Sequence, residues 1–465
     1  MNAFLNPPVD DFLAALAAVL GETALVSDPS IAASHSSDWS EAVPTVPGIV
    51  VFPRTPQQVA AALEVCGRFH RHVVIQGGLT GLAGGATPRE GEIALSLSKL
   101  DAIEEIDTVG GTATVQAGVV LEELQRRVEE HDWYFPLDLG ARGSCQVGGN
   151  AAVNAGGNRV IRFGTMRDMV LGLEVALPDG RLLSMLNRVT KNTTGIDLKH
   201  LFIGSEGTLG AITRLVLKLS PKPTNACTAL CALPSFDAAT RLIRTSRARL
   251  PSLSAFEVMW DDFMLAAREM HALRPAFDAP APVYALIETL GTDEVGERQQ
   301  LEALLADAIE AGLVTDAVVA QSMDDAQRLW AYRETVGELL SKLKPHAAFD
   351  VGVPMAAMER FVDAARTALT QLFPHQRHLF FGHIGDGNLH VLSGPYDSPD
   401  DLHRVEELVY RVVGDVGGSI SAEHGIGVVK RDFLHHSRSA DEMALMRDLK
   451  NLIDPAGVLN AGRIL

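Results

Sequence analysis

Cysteine is scarce in this chain: four in 465 residues, at Cys66, Cys145, Cys227 and Cys231. The four read as no disulfide framework, and no Cys-x-x-Cys zinc motif is present. Cys227 and Cys231 read as two buried thiols, and the usage points to a reducing cytoplasm. Long apolar runs are also missing, so no segment reads as a bilayer span. Met1–Gly21 has no basic n-region, and Asp10 and Asp11 interrupt its apolar run. Phe12, Leu13, Leu16, Val19 and Leu20 recur at helical spacing, which predicts an amphipathic helix rather than a signal peptide. Positive charge is deficient: 40 basic against 58 acidic residues give a net charge of −18. That balance argues against nucleic acid or an anionic membrane surface as a main partner. A small anionic substrate would then need a local cationic pocket. Internal repeats and low-complexity tracts are absent.

Hydrophobic residues make up 47% and charged residues 21%, a globular composition long enough for two or more domains. The pattern predicts a strand at Ile49–Phe52, a helix at 57–68 introduced by Thr55 and Pro56, and a strand at His72–Ile75. The chain then enters Gln76, Gly77, Gly78, Leu79, Thr80, Gly81 and Leu82, a loop that continues to Gly85. Its glycines allow successive backbone N–H groups to face one anion, such as a diphosphate. The loop matches neither the Rossmann fingerprint nor a P-loop. Short strands are predicted at Ile93–Leu97, Ile103–Ile106 and Thr112–Ala117, then a helix over 119–130. A second small-residue region spans Pro136 to Gly157, with Asn150 and Asn154 interspersed. Two such regions in one α/β domain favour a flat nucleotide-type cofactor. Pro221-Lys-Pro223 marks a boundary, beyond which strands alternate with charged amphipathic helices, including Glu294–Ala311 and one starting near Asp324.

Chemistry concentrates late in the chain. His383 and His390 flank Gly385-Asp-Gly-Asn388 at an odd spacing. A plain strand would point them to opposite faces, whereas a tight turn brings both imidazoles round to one point. Glu423 and His424 follow in Ser421-Ala-Glu-His-Gly425. Two imidazoles and a carboxylate suit zinc with one position left open, and His424 stands as a candidate base. A metallohydrolase would use the same ligands but leaves the glycine regions unexplained.

These motifs, taken together from residue 47 to 465, resemble the vanillyl-alcohol-oxidase type of FAD flavoproteins, most of all the D-2-hydroxyglutarate dehydrogenase group, with D-lactate and glycolate dehydrogenases as cousins. The resemblance implies an α+β chain: a two-subdomain FAD-binding domain over 1–222, an α/β cap domain over 223–415, and a segment over 416–465 that returns to the flavin. It implies FAD contacts at Gln76–Leu82, Pro136, Leu139, Gly140, Gly143, Ser144, Cys145, Gly148, Gly149, Asn150, Asn154, Gly156, Gly157, Gly164, Glu206, Gly207, Gly210, Ile212 and Asn460. No His or Cys lies in 76–82, so dissociable FAD is expected, with His383 and Cys145 left open as attachment points. His383, His390 and Glu423 match the family's metal ligands, with zinc first and manganese or iron(II) as alternatives. His424 matches its base, and Arg333 its arginine for a distal substrate carboxylate.

The implied reaction is oxidation of a D-2-hydroxy acid by hydride transfer to flavin N5. Electrons then pass to an electron-transfer flavoprotein or quinone, and family habit suggests a homodimer. A non-catalytic flavin subunit is the alternative. Three positions depart from the 2-hydroxyglutarate pattern: Gly337 stands for an expected threonine, Ala348 for a lysine and Leu392 for an asparagine. Each removes a polar group from the presumed substrate pocket, which points towards D-malate, D-lactate or a more apolar acid.

Overall fold

The structure is a computed structural model that describes residues 9–271 and 273–465. Met1–Pro8, the opening of the stretch read above against a signal peptide, lie outside the described residues. The helix that follows runs Val9–Leu20. Among the described residues, no helix is long and apolar enough to cross a membrane.

The chain divides into two compact units. The first holds the chain up to Gly156, Gly164–Lys222 and Glu423–Leu465; the second holds Gly157–Phe163 and Pro223–Ala422. The last crossing therefore falls after Ala422 rather than at 415, and residues 157–163 go with the second unit. Local bonding explains both. Arg162 donates to the carbonyls of Ser252 and Leu290, and Arg159 pairs with Glu288. Ala422 donates its N–H to the Asp350 carbonyl at 3.2 Å.

In the first unit, the helix Pro56–Arg68 starts where Thr55 accepts the Gln58 N–H and Pro56 supplies a preset φ. It buries Val59, Leu63 and Cys66. The strands Val50–Val51 and Val73–Gln76 both run parallel to Ile93–Ser96, so the chain leaves Gln76 straight into the first glycine loop. A five-stranded antiparallel sheet has the order 103–107, 112–116, 211–218, 170–176, 182–185. The C-terminal segment returns here: Leu459 bridges Val73 in parallel. The turn that carries it is held by Asp454, which is 2% exposed and accepts the N–H groups of Val458 and Leu459 and the Lys450 ammonium.

The second unit is built on a seven-stranded antiparallel sheet, ordered 316–319, 225–233, 283–291, 253–260, 377–383, 388–394, 347–352. One face is apolar, where Phe263, Leu329 and Tyr332 from two helices pack on Met259, Tyr284, Leu379, Phe381 and Leu392. Polar side chains interrupt the sheet at Glu257, Asp350 and His383.

Asp454→Ala would strand the Lys450 ammonium, which is 19% exposed and also donates to the carbonyls of Thr208 and Leu459. Breaking a buried ion pair costs about 3 kcal/mol. The variant is expected to unfold at a lower temperature than wild type in a thermal melt.

Candidate active site

In the first unit the two glycine regions meet. A Cβ on Gly78 would lie 2.1 Å from the Ser144 carbonyl oxygen and 3.0 Å from the Cys145 Cα, so only glycine allows this approach. The contact opens a cavity lined by Gly77–Leu82 of the first loop and by Leu139, Gly140, Cys145, Gly148, Gly149, Asn150 and Gly156 of the second. Glu206, Gly207, Gly210, Ile212 and Asn460 close it from the other side, and Glu423 and His424 also reach it. The wall is strained as well as small: Leu79, Glu206 and Asn460 take left-handed backbone at φ 56°, 51° and 41°, conformations that cluster at ligand clamps.

Two side chains lock this wall. The Glu206 carboxylate accepts the N–H groups of Ile426 at 2.7 Å and Gly427 at 2.8 Å, just past His424. Burial pushes its carboxyl up, and these two donors oppose that rise. Asn460 donates to the Glu206 carbonyl at 2.6 Å and accepts the Ile75 N–H at 2.8 Å. These bonds tie the end of the strand Val73–Gln76, the C-terminal turn and the His424 loop together.

Seven residues expected at the cofactor are not in the lining of this cavity. Gln76 is fully buried and donates to the carbonyls of His35 and Ala86. Asn154 accepts from Thr165 and the Arg167 N–H. Ser144 offers its backbone to Gly78, Gly164 packs on Asp168, and Gly143 faces Glu122. Gly157 belongs to the second unit, and Pro136 is buried off the cavity wall. In exchange, the wall includes Asp38, Trp39 and Gln146, which sequence reasoning missed. Gln146 Oε1 is buried without a hydrogen-bond partner. An unpaired acceptor there, beside bare glycine backbone, fits a flat ligand carrying its own donors, as FAD does.

In the second unit the strands Arg377–His383 and Asn388–Gly394 form a hairpin, with Gly387 at φ 87° in the turn. The register pairs Phe381 with His390. His383, two residues after Phe381, therefore shares a face with His390 despite the odd spacing. Their rings lie 5.4 Å apart. His383 Nδ1 is 2.6 Å from Glu257 Oε1, and Arg333 Nε donates to Glu257 Oε2 at 2.7 Å. Burial pushes the Glu257 carboxyl up, but His383 and Arg333 outweigh it and hold the group down at about 2. Burial raises Asp386, in the turn, to about 6. Arg333 is 8% exposed, so it is not the surface partner of Glu334 that its helix position also allowed. Gly337 and Ala348 are exposed, while Leu392 joins the apolar cluster.

Glu423 follows directly on Ala422, whose N–H is held by Asp350, and Asp350 pairs in register with His390. Within the second unit, His383 and His390 present two imidazoles from one hairpin, donors that fit a borderline divalent ion.

A family described as "FAD binding domain" matches residues 47–185, and "FAD linked oxidases, C-terminal domain" matches 222–464. The chain belongs to the FAD-linked oxidases and is a flavin-dependent oxidoreductase. Within them it falls in the D-2-hydroxyglutarate dehydrogenase group. A mitochondrial D-2-hydroxyglutarate dehydrogenase from Bos taurus is 40% identical over 98% of this chain and 84% of its own length. One from Xanthomonas citri pv. viticola is 38% identical over 95% of this chain and 94% of its own. Substrate-bound p-cresol methylhydroxylase superposes with a TM-score of 0.75 at 15% identity, covering 98% of this chain and 96% of that one, which shows the vanillyl-alcohol-oxidase-type fold. The expectation of a cytoplasmic location is corrected: relatives from animals, plants and yeast carry "mitochondrial" in their names, with the bacterial relative as the exception. Four buried, unbridged thiols do not identify the compartment.

Gly78→Ala is expected to force the two loops apart and lower the flavin content of purified protein, read from visible absorbance. Gly149→Ala, whose Cβ meets nothing within 4 Å, should fold normally and retain flavin less well, because its methyl enters the cavity.

Proposed function

We propose that the protein is an FAD- and divalent-metal-dependent dehydrogenase that oxidises a D-2-hydroxy acid to the 2-oxo acid. One observation carries the reading. Glu423 and His424 both line the glycine-walled cavity, and the hairpin of the second unit sets the imidazoles of His383 and His390 on one face. When bound, FAD supplies the hydride acceptor and a divalent ion supplies Lewis-acid charge for the hydroxyl and carboxylate. His383, His390 and Glu423 are the residues assigned to the ion, zinc first, with manganese and iron(II) using similar donors. His424 is assigned the hydroxyl proton; an imidazole with a reference pKa of about 6.5 accepts it near neutral pH. Arg333 is assigned to the far end of the substrate, where a guanidinium meets a carboxylate bidentately.

FAD is assigned non-covalent attachment. Burial pushes the Cys145 thiol up, which disfavours the thiolate that attachment would need. The substrate tail is assigned to the range from D-2-hydroxyglutarate to D-malate, D-lactate and more apolar acids. The departures at Gly337, Ala348 and Leu392 from the family pattern are the reason for favouring the shorter or more apolar end. Electrons are assigned to an electron-transfer flavoprotein or quinone, and the assembly to a homodimer.

Purified protein should be yellow and bleach under anaerobic conditions with a D-2-hydroxy acid. A chelator should suppress the bleaching, and His424→Ala should slow it by at least about 10²-fold, the usual contribution of a general base. A tail-length series read by dye reduction ranks the substrates. Undiminished bleaching after chelation would remove the metal from the reaction.

A further inference from the structure

Glu257 is fully buried in the strand Leu253–Trp260, and the roles above leave it unused. It lies directly across from His383 in the sheet register. One of its oxygens meets His383 Nδ1 at 2.6 Å and the other takes Arg333 Nε–H at 2.7 Å. The Arg333 guanidinium lies over the Phe381 ring, 4.7 Å from its centroid. Phe381 in turn stacks on His390 at 5.0 Å. One carboxylate and one ring therefore fix two imidazoles and a guanidinium.

We propose that Glu257 is a positioning residue that sets the tautomer and aim of His383 for a divalent cation and anchors Arg333 with its second oxygen. The inference rests on the metal reading above. A carboxylate on Nδ1 keeps the proton there and makes Nε2, which lies 3.3 Å from an Arg333 guanidinium nitrogen, the ring's acceptor and a stronger donor to a cation that displaces that contact. The sheet makes the arrangement rigid, because His383 and Glu257 are cross-strand partners. The same anion compensates a buried guanidinium, which otherwise would not tolerate burial.

The test uses the flavin-loaded protein after metal removal, titrated with Zn2+ against a chromophoric chelator. Glu257→Gln keeps the shape, but its amide can accept from only one of the two donors. It is expected to bind Zn2+ about 10–100-fold more weakly, with the flavin spectrum unchanged. Arg333→Met leaves the His383–Glu257 contact in place and removes a nearby cation, so it should bind Zn2+ at least as tightly as wild type. The double variant Glu257→Gln/Arg333→Met guards against a stranded guanidinium and should stay weak. Wild-type affinity in the double variant would overturn the inference, because the loss would then come from Arg333 and not from imidazole orientation. Equal affinity in wild type and Glu257→Gln would overturn it alone. A wild-type protein that takes up no Zn2+ would take down the metal reading and this inference together.

Discussion

The register between the strands Arg377–His383 and Asn388–Gly394 is the constraint on which the candidate site depends. Phe381 opposes His390, which sets His383 and His390 on one face. A slip of one residue would turn one histidine away, because side chains alternate along a strand. The apolar cluster enforces the register: Leu379, Phe381 and Leu392 are all buried within it. Hydrophobic burial, not the histidines, therefore fixes where the histidines point.

The same logic governs the first unit. Glycines there are not merely flexible. Gly78 permits a backbone approach that any side chain would block, and that approach forms the cavity between two loops. Glu206 then acts from the far wall, where its buried carboxylate captures the two N–H groups after His424. Backbone amides and the charge of Lys430 oppose the upward push that burial gives this carboxyl, and the two amide bonds hold the loop bearing His424. Net acidity of the whole chain and a locally cationic chemistry are thus compatible. The chain carries a net charge of −18, while Arg333 is held by the internal carboxylate of Glu257.

Much of this was legible in order along the chain. The helix at Pro56–Arg68 and the strands at Val73–Gln76, Ile93–Ser96 and Thr112–Gln116 follow the predicted segments closely, because capping residues and β-branched runs are local signals. The glycine loops and the His383/His390 pair were also local. Glu257 was not, since its partner His383 is 126 residues away. A lone glutamate in the apolar run Leu253–Trp260 was the available signal. Gln146, Asp38 and Trp39 carried no motif, and Gln76 and Asn154 were assigned to the ligand although their amides satisfy backbone and side chains nearby.

The sequence by itself determined which chemistry is available: glycine backbone for a cofactor, imidazole and carboxylate donors for a cation, and a family pattern that joins them. Tertiary structure decided which of those groups meet. Side-chain alternation, long-range strand pairing and the need to compensate buried charge act between residues far apart in the chain. Composition and spacing carry no record of those distances, so Glu257 became visible only once the strands Leu253–Trp260 and Arg377–His383 lay side by side.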